Sequence, residues 1–178
     1  MARAEGSQSF SKNNWIVHPI YGVGQVRGVE SKSIAGTERD YYKVKGMECT
    51  FWIPVNNSEE SSVRPMVTRT ELRKALMTLS NEPNEMASKH TKRWRAIREA
   101  MAEGTLISTC RIIRDLWARN KEKKLSASEQ EMFRKLKETL FKEWMVCAGL
   151  KSNEVRRHFK RILQGESVSA LYPLDQSA

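Results

Sequence analysis

The sequence predicts an α+β chain of two domains, a small strongly bent β-barrel followed by an all-α helical bundle. Near residue 70 the hydrophobic period changes from short alternating segments punctuated by Gly and Pro to long stretches at helical spacing. Hydrophobic residues make up 39% of the 178 and include five Trp, enough for a folded core and too many for a disordered basic tail. This length fits one or two small domains.

The first half reads as five short strands. Trp15 to His18 and Val23 to Glu30 look extended, with Pro19, Gly22 and Gly24 supplying turns. Tyr41 to Lys45 follows, and a hairpin break at Gly46 leads into Met47, Cys49, Phe51 and Ile53, which alternate with Glu48, Thr50, Trp52 and Pro54. Val63 to Val67 is the fifth. So few residues bury a core only if the sheet curls on itself, hence a barrel.

The second half reads as four or five helices. Glu71 to Leu79 is the first, and Asn81 to Ser88, with Pro83, is a loop. Trp94, Ile97 and Met101 form one apolar stripe that ends at Gly104, a C-cap signal. Leu106, Cys110, Ile113 and Trp117 make the next stripe, before the polar link Asn120 to Lys124. Ser126 and Glu129 have capping-box spacing and open a helix carrying Phe133, Leu136, Leu140, Trp144 and Cys147. The last starts at Ser152 and buries Val155, Phe159 and Ile162. Stripes this narrow need one another, so a single bundle is predicted. The boundaries are a loose tail at 1–14, a barrel at 15–68, a helical domain at 70–165 and a second tail at 166–178.

Charge and composition limit the function. The formal net charge is +10. Residues 1–80 hold 11 basic and 8 acidic side chains and residues 81–178 hold 20 and 13, so the excess sits mainly in the helical half. Lys89, Lys92, Arg93, Arg95 and Arg98 fall within ten residues that contain no acid. On a helical wheel Lys89, Lys92, Arg93 and Arg95 fan out opposite Trp94, Ile97 and Met101, a face able to lie along a phosphate backbone. A merely solvated charged face reads the same way. No apolar run approaches the roughly 18 residues of a membrane span, and MARAEGSQSFSKNN lacks a signal-peptide core, so a cytoplasmic protein with no membrane partner is expected. Cys49, Cys110 and Cys147 are odd in number and lack metal spacing, consistent with reduced thiols.

Catalytic signals are weak. Gly22 to Gly24 lacks the third Gly of a dinucleotide fingerprint and reads as a tight turn. His18, His90 and His158 are too far apart to imply a metal site by spacing, and no nucleophile motif is present. Neither an enzyme nor a cofactor is expected. Trp52 is the anomaly, since strand parity puts a large aromatic on the face opposite Phe51 and Ile53. It fits a partner-binding anchor or packing against the helical domain.

HPIYGVGQV, GVESKSIAG, the Tyr pair of RDYYKV and TFWIPV together resemble the domain shared by the CarD and CdnL bacterial transcription regulators and the transcription-repair coupling factor. IIRDLWARNKEKKLSASEQEMFRKLKETL, from Ile112 to Leu140, is similar to the CarD and CdnL C-terminal domain. The resemblance spans residues 15 to 145. It implies a monomeric, non-enzymatic transcription factor whose Tudor-like N-terminal domain binds the RNA polymerase beta subunit. Its helical domain would contact promoter DNA at the upstream edge of the melted bubble and hold the open complex.

Carried over by position, the resemblance implies polymerase contacts at Lys32, Ser33, Ile34, Thr50 and Trp52, and DNA contacts at Lys89, His90, Lys92, Arg93 and Arg95. Two positions depart from the family pattern. Trp52 stands where better-known members have Arg, and His90 stands where they place a Trp that wedges into the minor groove. Imidazole is smaller and more polar than indole. Polymerase recruitment is therefore expected to survive while bubble stabilisation is weaker or uses another contact. His90 alternatively just begins the helix above Trp94. A stand-alone architectural DNA-binding protein and a protein-only adaptor are the competing readings.

Overall fold

The computed structural model describes residues 9–34, 37–55 and 63–171. It divides into two compact units, Met1–Met66 and Val67–Ala178. Of the predicted tails at 1–14 and 166–178, residues 1–8 and 172–178 lie outside the described residues.

The first unit holds β1 (Trp15–His18), β2 (Gly22–Ile34), β3 (Thr37–Gly46), β4 (Thr50–Pro54) and β5 (Arg64–Pro65). They form one antiparallel sheet in the order β4-β3-β2-β1-β5. The outer strands β4 and β5 share no ladder among the described residues, so the sheet is not closed as the barrel expectation required. A register shift between Val26 and Gly28 interrupts the β2–β3 ladder, the kind of bulge that bends and twists a strand. Ile16, Val26, Tyr42, Val44, Phe51, Ile53 and Val63 fill the inner face.

Gly24 and Gly46 face each other across β2 and β3. A Cβ on Gly24 would sit 2.6 Å from Val44 Cγ1, and one on Gly46 would sit 3.2 Å from Phe51 Cε1. The two glycines therefore make room for the Phe51 ring, while Gly22, at φ 71°, forms the turn. That turn is closed by His18, whose Nδ1 accepts the Ile20 and Tyr21 amides at 3.0 and 3.2 Å. Burial lowers the His18 pKa, in keeping with a ring that must stay neutral to accept both bonds.

Two details differ from the sequence expectation. The core reaches back to Phe10, which is buried, and whose amide donates to the Tyr42 hydroxyl at 3.1 Å, so residues 9–14 are built into the unit. The Asn13 amide reaches the Val26 carbonyl and the Val26 amide reaches the Asn14 carbonyl, satisfying the backbone at the bulge. Met47 and Cys49 are exposed, because Gly46–Cys49 is a tight turn in which the alternation has not begun.

The second unit contains α1 (Arg69–Ser80), α2 (His90–Ala102), α3 (Leu106–Glu122), α4 (Ala127–Ala148), α5 (Ser152–Leu163) and α6 (Val168–Leu171). Capping boxes at Thr68/Glu71 and Ser126/Glu129 start α1 and α4, and Gly149 in the left-handed region ends α4. One cluster joins Leu72 and Leu76 of α1, Ile97 of α2, Ile113 and Leu116 of α3, Leu140 and Trp144 of α4, and Val155 and Ile162 of α5. Val168 of α6 is buried in it too, and Arg73 donates to Ser169 at 2.7 Å, so the bundle continues past residue 165. Met101 is 40% exposed, because the buried line of α2 runs through Arg93 and Ile97 instead of along the whole predicted stripe.

Candidate functional site

Two surfaces carry the predicted contacts, one on each unit. In the first unit β4 buries Phe51 and Ile53 and leaves Trp52 on the outer face, 37% exposed. Hairpin register places Lys43 of β3 directly beside Trp52. Glu30 of β2 ties the pair together, one carboxylate oxygen accepting Trp52 Nε1 at 2.9 Å and the other accepting Lys43 Nζ at 2.7 Å. The hydrogen bonds from Lys43 and Trp52 hold the Glu30 pKa below the usual carboxylate range. Lys32, two residues along β2, sets its ammonium 3.2 Å from the centroid of the Trp52 ring.

Lys32 and Trp52 are thus brought together from strands that β3 separates. Thr50 lies on β4 with the same parity as Trp52 and is half-buried. Ser33 is exposed but has the parity opposite to Lys32, so it does not share their face. Ile34 ends β2 opposite Thr37, and its side chain falls outside the described residues. Glu30 and Lys43 were not among the predicted residues. Glu30 shares the parity of Lys32 on β2, but Lys43 lies on β3, and the register that sets it beside Trp52 is not visible in the sequence.

The second surface is the start of α2. Lys89, His90, Lys92, Arg95 and Arg98 are exposed. Lys89 occupies the N-cap with no side-chain cap bond, and the first turn contains no acid. Free amides, the positive helix end and two Lys side chains there favour an anion. Arg95 is paired with Glu99 at 2.8 Å. Lys89, Lys92 and Arg98 make no ion pair among the described residues.

Arg93 is the correction. It is 5% exposed, and its Nε donates to Glu129 Oε1 at 2.6 Å while Nη1 donates to the Ala87 and Ser88 carbonyls, each at 2.7 Å. Glu129 also accepts the Ser126 amide as part of the α4 capping box. Burial works to raise the Glu129 pKa, but the Ser126 bonds and the Arg93 guanidinium outweigh it and hold it at about 2. Arg93 therefore fastens the loop before α2 to the start of α4 and is too buried to present its guanidinium to a phosphate.

His90 does begin α2, and it also bonds within it. Trp94 Nε1 donates to His90 Nε2 at 2.6 Å, one turn below. The indole is thereby oriented, and the imidazole edge carrying Nε2 is occupied. Elsewhere, Asp115 of the RDLW segment is buried and accepts the Asn84 amide at 2.9 Å and Arg114 Nε at 2.8 Å, fixing the 81–88 loop to α3. Among the described residues no group of three His, Cys, Asp or Glu is arranged to hold a metal ion, and no helix is long and apolar enough to cross a membrane.

Residues 10–67 match the family described as the CarD-like/TRCF RID domain, and residues 74–160 match the CarD C-terminal domain. The chain is also similar to a Bacillus subtilis (strain 168) protein named "Putative transcription factor YdeB", with 24% identity over 143 residues that cover 79% of this chain and 94% of that one. The two domain matches follow one another along the chain, the first on the sheet and the second on the helices, and the chain belongs to the CarD family of transcription regulators.

Proposed function

We propose that this protein binds the beta subunit of bacterial RNA polymerase through the outer face of β2 to β4, and that α2 contacts promoter DNA at the upstream edge of the bubble. In this reading the sheet unit is a Tudor-like docking module that brings the helical unit to the promoter. The observation that carries it is the Lys32–Trp52–Glu30–Lys43 assembly, an ordered cationic and aromatic surface on a domain of the RID type. Exposed Trp with a flanking cation is the residue chemistry of an interface anchor. Lys89 and Lys92, which have no carboxylate partner among the described residues, supply the DNA contact, and Arg98, six residues past Lys92, adds further positive charge to α2. Backbone contacts of this kind position the protein without reading bases.

A factor that prefers the opened promoter shifts melting by its differential affinity. About 1.4 kcal/mol of preference corresponds to a tenfold shift. Because His90 is smaller than the family's wedge residue and already bonded to Trp94, the opening effect here rests on phosphate contacts more than on stacking.

The test is co-purification with the polymerase beta subunit, combined with single-round transcription on promoters of differing stability. Trp52→Ala and Lys32→Glu should each weaken polymerase association at least tenfold while leaving the fold intact. Normal association in both variants would remove the interface assignment. Lys89→Ala with Lys92→Ala should shorten the open-complex lifetime without affecting association, and an unchanged lifetime would reduce the α2 surface to a solvated face.

A further inference from the structure

We propose that α5 presents a second nucleic-acid surface, a basic face that binds the phosphate backbone of duplex DNA. This rests on the reading that the helical unit contacts DNA, and it extends that unit's footprint beyond α2. From Lys151 to Arg161 the chain carries five basic side chains against Glu154 alone. Val155, Phe159 and Ile162 are buried in the bundle, so the apolar side of α5 is fully used. The helix is therefore unavailable to lie in a membrane surface, the usual alternative for a basic amphipathic helix.

Helical spacing gathers the charges opposite that buried side. Arg156 and Lys160 form one i,i+4 row, and Arg157 and Arg161 the next, all four exposed. Arg161 is neutralised by Glu166 at 2.6 Å. Arg156, Arg157 and Lys160 have no carboxylate partner among the described residues. Arg156 instead bonds Ser152 at 3.3 Å and lies over the Phe141 ring at 5.3 Å.

The outer face of α4 shows the contrast. Its exposed cations Arg134 and Lys135 are matched by Glu131 and Glu138 in i,i+3 and i,i+4 pairs, so that face is a self-compensated solvent surface. On α5 only Arg161 has such a pair, and Arg156, Arg157 and Lys160 have none among the described residues. Its cations instead crowd one another. Lys137 of α4, held over Phe133, has its pKa lowered by burial and then by Arg156. His158 is lowered by burial and then by Arg157 and Arg161. Repulsion between like charges held on a rigid helix is relieved by a polyanion, and three uncompensated cations, the Arg156/Lys160 row with Arg157 beside it, suit a line of phosphates better than a single anion.

The experiment measures binding of the full chain to a duplex promoter fragment across a range of salt concentrations. Four proteins are compared: wild type, Arg156→Gln/Arg157→Gln/Lys160→Gln, the milder Arg157→Gln/Lys160→Gln that keeps the Phe141 contact, and Lys89→Ala/Lys92→Ala. Each lost phosphate contact should flatten the log–log salt slope by about 0.9. The triple variant is therefore expected to lose about two to three in slope and at least tenfold in affinity at low salt, with the double variant intermediate. Wild-type slope and affinity in both α5 variants, alongside a loss in the α2 variant, would overturn this inference and leave the proposed function standing. Absence of salt-dependent duplex binding in the wild type would overturn this inference, while the proposed function, which brings α2 to the promoter through polymerase, is tested separately by the open-complex lifetime. Polyglutamate competing as well as duplex DNA at equal charge would also overturn this inference, since the face would then fit an acidic protein.

Discussion

Arg93 and Glu129, 36 residues apart in sequence, meet at 2.6 Å with both side chains almost fully buried. Arg93→Ala would leave the carboxylate without its guanidinium and free two carbonyls of the preceding loop. Breaking a buried pair from one side costs roughly 3–5 kcal/mol. Arg93→Ala should therefore lower the denaturant midpoint strongly, whereas Lys92→Ala next to it should change it little. Equal effects would mean that Arg93 is as exposed as its neighbour. The pair also sets an acid response. Glu129 titrates at about 2 in the folded chain, below the ordinary carboxylate value, so its contribution is complete above about pH 4.5 and is lost as pH falls toward 2. Glu129→Gln should make acid unfolding less steep in that range.

Gly24→Ala should destabilise the sheet unit. The new methyl would sit 2.6 Å from Val44 Cγ1, with Lys45 O and Phe51 Cε1 each at 3.3 Å. Overpacking of this kind costs typically about 1–3 kcal/mol. The denaturant midpoint of the sheet unit should fall, with Phe51 resonances shifted. A neutral result would show that the β2–β3 pair opens easily at this point.

The pattern that held in the sequence was local. Phe51, Ile53 and Trp52 separated correctly by strand parity, and Val155, Phe159 and Ile162 by helical spacing, because each needs only its own element. Arg93 could not be read this way. A basic residue in a basic run looks exposed until its carboxylate is supplied by another helix. Phe10 was lost for a similar reason, since its partner Tyr42 lies 32 residues away. Met47 and Cys49 were misplaced because a turn and a strand share the same alternation over two residues. The surface at Lys32 and Trp52 was named residue by residue from family resemblance, but Glu30 and Lys43 depended on strand register.

Thermal stability should rise with pH across the range just below 6.5. His18 and His158 both have pKa values below the ordinary one, chiefly through burial. The unfolded chain therefore takes up more protons there, and stability present above about pH 6.5 is lost as pH falls through the folded values. His18→Asn should flatten part of the dependence between pH 5 and 7.5, and adding His158→Gln should flatten more. An unchanged profile in the double variant would place the dependence on other groups.

His90 holds the indole of Trp94 through one hydrogen bond at an exposed position. His90→Phe should shift the Trp94 indole N–H resonance and speed its exchange with solvent. Because water can replace the lost partner, the stability cost should stay below about 1.5 kcal/mol. An unmoved resonance would show that the bond does not persist in solution.

The Glu30 carboxylate holds Trp52 and Lys43 in fixed rotamers, and the Trp52 ring in turn holds Lys32. Immobilising a rotamer-rich side chain on association costs about 0.5–1.5 kcal/mol. Here that entropy is already lost when the sheet folds, so little of it remains to oppose docking. In the docking proposed above, Glu30, which need not touch a partner, would be the residue through which affinity is set before any encounter takes place.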